Sequence, residues 1–301
     1  MLKRSITGLI IVAVLAGFVA LREVSVLFFD ALVLALVYGA IVELCFALKL
    51  FNKKFSATIL LLYPAVLACI YIFSPTIKDC VTLQVLSFIV IFAVSMFKEL
   101  IVLANKRRNN ELDDDERSIN TGLLSETVCT LGIAVYPISL VSTLMGINHF
   151  GMNLGYIGII LVFGISMCTD TFAYLFGSMI KGKKLCPEIS PKKSISGFVF
   201  GALGGILVSL LCMYLFYFKG MLTSPIMGLD TLQVVVMFTS IGIIGTFITQ
   251  FGDLVASAIK RKTGIKDFGS IFPGHGGIMD RIDGAMFNAL LVFVVFVLFL
   301  A

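Results

Sequence analysis

The residues best suited to chemistry lie toward the end of the chain. Between Gln250 and Arg261 stand Asp253, Ser257 and Lys260. On a helix turning 100° per residue, these five side chains fall within an arc of about 100°. Leu254, Val255, Ala256, Ala258 and Ile259 take the other face. One stripe thus presents an acid, a hydroxyl and two cations. An ionisable side chain at membrane depth points to function. The plainer reading is that Asp253 pairs with Lys260 or another neighbour.

The stretch that follows is rich in glycine: Gly269, Gly274, Gly276 and Gly277, with Pro273 among them. Such residues allow tight turns and leave backbone N–H groups open, which is the chemistry of a phosphate cradle. Asp280 and Asp283 follow and, with Asp253, offer hard oxygen ligands. Magnesium is usually held by one or two carboxylates plus substrate phosphates. Lys260, Arg261, Lys266 and Arg281 would neutralise phosphate oxygens. His275 has only His149 as a fellow histidine, so it reads as a phosphate hydrogen-bond donor and not as a metal ligand. Upstream, Asp170 lies inside an apolar run, where a carboxylate needs a cation, a partner or a wet cavity. Lys192 and Lys193 then precede the next apolar run; phosphate binding and plain topology explain them equally well.

These residues must be carried by a membrane. Of the 301 residues 59% are hydrophobic and 14% charged, and the mean hydropathy is +1.05. A soluble domain carries about 25% charged residues. A cytosolic enzyme, a secreted disulfide scaffold and a disordered tail are excluded. The seven cysteines form no CxxC pair and read as small buried hydrophobes. The first apolar run, 6–21, reads as an uncleaved span. Apolar runs long enough to span fall near 5–21, 25–48, 55–73, 81–103, 121–146, 154–179, 198–218, 231–259 and 284–301. The gaps on one side of this arrangement hold 19 of the 23 Lys and Arg, those on the other only 3. That asymmetry places the N-terminus in the cytoplasm. The fold class expected is all-α, a polytopic membrane protein of about nine transmembrane helices.

Three parts are expected: 1–120, about four spans and a cytoplasmic loop; 121–197, the middle helices with Asp170 and the loop holding Lys192 and Lys193; and 198–301, carrying the site. The acidic tract 111–117 reads as a solvated loop. Gly197, Gly201 and Gly205 recur every fourth residue, which suits close helix packing. The run from Gly177 through Gly182 to Lys183 imitates a P-loop, but Lys184 stands where a Ser or Thr is required. Nucleic-acid binding is implausible on loops this short. Asp30, Glu43, Lys98, Glu99 and Glu126 lie in or near spans and receive no role.

The segment SAIKRKTGIKDFGSIFPGHGGIMDRID, residues 257–283, resembles the signature of the phosphatidate cytidylyltransferases, also called CDP-diglyceride synthetases. Its elements are Ser-x-x-Lys-Arg, Lys-Asp, Pro-Gly-His-Gly-Gly and Asp-Arg-x-Asp. The resemblance spans roughly 165–285. It implies a polytopic enzyme of the cell membrane that joins CTP and phosphatidic acid into CDP-diacylglycerol and pyrophosphate. It also implies magnesium dependence, with the metal carried by Asp253 and Asp280; Asp283 is added because it lies one helical turn after Asp280. A second metal ion and a homodimer are left open. Two positions depart from the family pattern: Ser178, where an arginine is common, and Ser196, where an acid is usual. Two rival readings remain. One is a membrane cytidylyltransferase acting on another lipid phosphate. The other is an ion-coupled transporter with Asp170 and Asp253 along its path; clustering of the acids at one end, away from the midplane, speaks against it.

Overall fold

The computed structural model describes residues 2–50, 54–108, 121–180, 182–220, 229–274 and 276–300. Within them the chain is helical almost throughout. The helices are α1 (Leu2–Leu21), α2 (Val26–Ala47), α3 (Lys54–Phe73), α4 (Ile77–Arg108), α5 (Thr121–Ile133), α6 (Leu140–Asn148), α7 (Met152–Ile180), α8 (Ile195–Met213), α9 (Thr231–Thr263) and α10 (Met279–Leu300). Among the described residues eight helical stretches are long and apolar enough to cross a membrane, α5 and α6 counting as one. A shorter apolar stretch, Thr7–Leu21, belongs to α1. The all-α polytopic architecture is as expected.

The turn between α1 and α2 is fastened from within. Arg22 looks like a loop cation in the sequence, yet it is only 1% exposed. Its Nε donates to Asn148 Oδ1 at 2.6 Å, and its Nη2 to the carbonyls of Asn148 and Gly151, both at 2.8 Å. The guanidinium also lies over the ring of Tyr156. Asn148 Nδ2 donates to Asp30 Oδ1 at 2.9 Å, and His149 Nε2 lies 2.8 Å from Asp30 Oδ2. This knot ties the α1–α2 turn to the α6–α7 turn.

Between α5 and α6 the helix is interrupted. Ala134–Ser139 forms a π-helical turn around the buried Pro137, and Tyr136 leaves helical geometry at φ −118°, ψ 104°. Proline removes a donor and forces such a break. Ser139 Oγ donates to the Ala134 carbonyl at 2.8 Å, which meets one of the backbone groups freed there. Broken helices are tolerated in a bilayer only where protein surrounds the freed groups.

The C-terminal helices pack more tightly. A Cβ on Gly197 would lie 2.8 Å from the carbonyl of Ala173, and one on Gly201 2.9 Å from that of Thr169. On Gly205 it would come within 2.5 Å of Thr169 Oγ1. The four-residue glycine spacing therefore does what its pattern suggests: it lets α7 and α8 meet backbone to backbone. The segment before α8 is more ordered than a loop. Lys184–Cys186 and Ser190–Ser194 pair as an antiparallel hairpin, β1 and β2. Ser194 then caps α8, its Oγ accepting from Gly197 N at 3.1 Å.

Two helix boundaries differ from the apolar runs, and both differences bear on the site. α9 continues to Thr263, so Lys260 and Arg261 stay on the helix, and Gly264 ends it in a left-handed conformation at φ 72°. α10 begins at Met279 and not at 284. Asp280 and Arg281 thus occupy its first turn, and Asp283 begins the second. This stretch is polar, so hydropathy alone starts the helix too late.

Candidate functional site

The four aspartates come from three helices: Asp170 from α7, Asp253 from α9, and Asp280 and Asp283 from α10. Their surroundings differ. Asp253 Oδ2 lies 2.6 Å from Lys193 Nζ, and both side chains are partly open, 30% and 23% exposed. Lys193 also donates to the Gln250 carbonyl at 3.3 Å, while Gln250 Nε2 donates to the Phe198 carbonyl at 3.2 Å. The stripe on α9 therefore divides. Gln250 and Asp253 turn toward α8 and the hairpin. Arg261 does the same farther along, its Nε donating to the Ile189 carbonyl at 3.2 Å. Lys260 turns the other way, toward α10.

There Lys260 Nζ donates to Asp280 Oδ1 at 2.7 Å. Asp280 Oδ2 accepts from Phe268 N and Gly277 N, each at 2.9 Å. Both of its oxygens are thus engaged, and it draws the glycine-rich segment onto the start of α10. Asp283 is buried, and its Oδ1 accepts from Gly284 N at 2.8 Å. It stands where the two helices are closest: a Cβ on Gly252, the residue before Asp253, would lie 2.4 Å from the Asp283 carbonyl. Asp170, Asp253 and Asp283 lie near enough to feel one another's charge. Lys193 and Arg281 act on Asp170, and Lys260 acts on Asp283.

A cleft of about 710 Å³ opens beside this cluster. Asp170, Asp253, Lys192, Lys193 and Gln250 line its polar side, and Tyr174 and Phe198 its apolar side. Asp170 thus meets a cavity and cationic neighbours, as a carboxylate in a span requires. Ser178 also lines the cleft, while Ser196 shares a hydrogen bond with Ser194 at the cap of α8. Ser257 is half-buried on α9; Lys266 and Arg281 are exposed. Gly274 and Gly276 take φ of 79°, a conformation glycine adopts freely. Gly277 N is engaged by Asp280, as above. His275 and the tract 111–117 lie outside the described residues.

The donor set suits a hard divalent cation. Carboxylate oxygens such as those of Asp253, Asp280 and Asp283 are what magnesium takes, alongside phosphate oxygens. Among the described residues no group of three or more His, Cys, Asp or Glu is arranged to hold a metal ion. Magnesium usually leaves several of its positions to water and substrate.

Two residues from the N-terminal half reach this site, and no local pattern announces either. Glu43 on α2 accepts from Ile278 N and Met279 N at 2.9 and 2.8 Å. Tyr136 sits at the helix break. Its ring packs on that of Phe287 with centroids 5.6 Å apart, and its hydroxyl is buried without a hydrogen-bond partner among the described residues. Asp283, Asp253 and Asp280 lie close enough for their charges to act on Tyr136.

Comparison with known proteins identifies the family. A protein from Staphylococcus aureus (strain COL), named phosphatidate cytidylyltransferase, is 41% identical over 129 residues, 43% of this chain and 45% of that protein. One of the same name from Rickettsia conorii is 35% identical over 186 residues, 58% of this chain and 76% of that protein. A third, from Staphylococcus saprophyticus, is 37% identical over 153 residues, 48% and 54% of the two chains. The match thus spans about half the length of the staphylococcal relatives. The model of the cytidylyltransferase family matches residues 2–299, almost the whole chain, and the chain belongs to that family.

Proposed function

We propose that the chain is a phosphatidate cytidylyltransferase, transferring CMP from CTP to phosphatidic acid to give CDP-diacylglycerol and pyrophosphate. The observation that carries this reading is the pairing of acids with lysines along α9: Asp253 with Lys193 at the cleft, and Asp280 with Lys260 on the side facing α10. A metal–triphosphate brings both a cation and anionic oxygens, so each acid and each lysine of such a pair gains a partner when it binds. The printed names of the relatives support the same substrates.

A phosphate oxygen of phosphatidate attacks the α-phosphorus of CTP, and the bond to pyrophosphate breaks in line. The nucleophile is already anionic at neutral pH, so no strong general base is needed. Lys193, Lys260 and Arg281 hold phosphate oxygens and offset the charge on the leaving pyrophosphate. Lys192, Arg261 and Lys266 extend that positive field. Asp253, Asp280 and Asp283 would hold magnesium, which when bound neutralises phosphate charge and orients the nucleotide. Asp253 would have to release Lys193 to hold it, and Asp280 would have to release Lys260. Ser257, His275 and Gly276 would contribute hydrogen bonds to the polar headgroups, while Gly277 N serves Asp280. The aromatic side of the cleft, Tyr174 and Phe198, admits the lipid from the bilayer. The lysine and arginine asymmetry supports a position for this end at the cytoplasmic face of the cell membrane, where CTP is found.

Radiolabelled CTP, phosphatidic acid and magnesium in detergent test the reading. Labelled CDP-lipid is the expected product, and its absence with the wild-type protein overturns the activity. Turnover unaffected by Asp253→Asn overturns the metal role.

A further inference from the structure

We propose that Glu43 is a positioning residue for the acids of α10. It sets the height and rotation at which that helix enters the site, and so how Asp280 and Asp283 face Asp253. The proposal rests on the cytidylyltransferase reading for its kinetic consequences, but its structural content stands apart from it.

The first N–H groups of any helix lack intrahelical partners. A local Ser, Thr, Asp or Asn commonly supplies one. Here Ile278 precedes α10 and carries no capping oxygen. The missing acceptors come from 235 residues away: the two carboxylate oxygens of Glu43 take Ile278 N and Met279 N separately. The side chain is 5% exposed, so its charge meets these donors and the positive end of the helix dipole with little water to screen it.

The fit around this carboxylate is close on several sides. A Cβ on Gly277 would fall 2.2 Å from Glu43 Oε1, and one on Gly269 2.3 Å from it. The carboxylate is therefore enclosed by both limbs of the glycine-rich segment. One turn earlier on α2, Gly39 lies so close to Ile278 that a Cβ there would fall 2.2 Å from Ile278 Cδ1. α2 thus grips one residue by shape and its N–H by charge. Asp280 holds the same segment from the inside, through Phe268 N and Gly277 N.

This grip differs from an ordinary cap in what hangs from it. Asp280 and Arg281 lie in the first turn of α10 and Asp283 opens the second, so any slip of the helix start moves them directly. A displacement near 1 Å at reacting groups costs about 10²-fold in rate. The glycines of this segment consequently have two uses: some make turns, while Gly269 and Gly277 make room for a carboxylate from another part of the chain.

Glu43→Gln tests the proposal. It keeps the size of the side chain but sets an NH₂ group against one of the two N–H donors. The purified protein in detergent is read by kcat, KM for CTP, the magnesium concentration giving half-maximal rate, and amide hydrogen exchange over residues 265–284. We expect kcat to fall and the magnesium requirement to rise, each by about ten- to a hundredfold, as for other groups that orient metal ligands. KM for phosphatidate stays the same, and exchange over 265–284 quickens. Glu43→Asp, which keeps the charge and retracts it by one methylene, regains part of the loss. Gly39→Ala displaces Ile278 without touching the carboxylate and shifts the same quantities in the same direction, so the idea remains testable if the Glu43 variants fold poorly. A folded Glu43→Gln or Gly39→Ala protein with wild-type kcat, magnesium requirement and exchange overturns it. If the wild-type protein makes no CDP-lipid, the activity falls instead; exchange over 265–284 then still decides the role of Glu43.

Discussion

The two ends of the helical bundle both bury charge, and they do so to opposite ends. At one, Arg22, Asn148, Asp30 and His149 form a knot in which each group meets another across two turns. At the other, Asp253 and Lys193 meet at 2.6 Å yet stay partly open beside a cleft of about 710 Å³. In the first set Arg22, Asn148 and Asp30 are buried, and among its described residues only His149 is partly open. The second can trade its partners for a ligand. Charge at membrane depth therefore does not identify a working site by itself; an accessible, exchangeable pair does.

The comparison is broken most severely at the closed end. Arg22→Ala removes the donor to two carbonyls and one amide oxygen, and the charge near Asp30. Such a loss in a buried network costs about 3–5 kcal/mol. Thermal unfolding in detergent should show it, with kcat per folded molecule unchanged. An Arg22→Ala protein as stable as wild type would mean that the knot holds nothing.

Asp253→Asn should behave in the reverse manner. The partly open position implies little effect on the unfolding temperature. The lost negative charge should lower kcat by about 10²–10³-fold, the range seen when one preorganised electrostatic group is removed. A smaller effect follows at its partner. Lys193→Gln removes one charge-assisted contact and should raise KM for CTP about tenfold. If Lys193→Gln destabilises the protein as Arg22→Ala does, the contrast between the two ends fails.

The same contrast accounts for what could be read from the sequence. Spans show in hydropathy because each helix must satisfy its own backbone and coat itself with apolar side chains. The α9 stripe shows because five side chains at helical spacing declare one face. Asp170 was legible as a carboxylate in need of company. Other features left no such mark. Arg22 resembles any loop cation, because its partners lie more than a hundred residues away. Glu43 resembles any acid near a helix end for the same reason. The start of α10 is hidden because Asp280, Arg281 and Asp283 lend charge to its first five residues. The β1–β2 hairpin carries no alternating apolar pattern: β1 is only three residues long, and β2 holds lysines, serines and a proline. Local pattern reports what a segment must do for itself; it is silent about what a segment does for a distant one.

Tyr136 offers the finest test of that distinction, since it belongs to the open end but is buried. Its hydroxyl has no hydrogen-bond partner among the described residues, and the charges of Asp283, Asp253 and Asp280 act on it. An unmet buried hydroxyl costs free energy, so its removal should not weaken the fold. Tyr136→Phe keeps the ring that packs on Phe287 and should stabilise the protein by about 1 kcal/mol. If the hydroxyl serves the acid cluster, kcat falls while the unfolding temperature rises, the pairing of gain and loss expected where function is maintained against stability. Were Tyr136→Phe to lose stability instead, the hydroxyl would belong with the knot at Arg22, as a group whose partners are all within the fold.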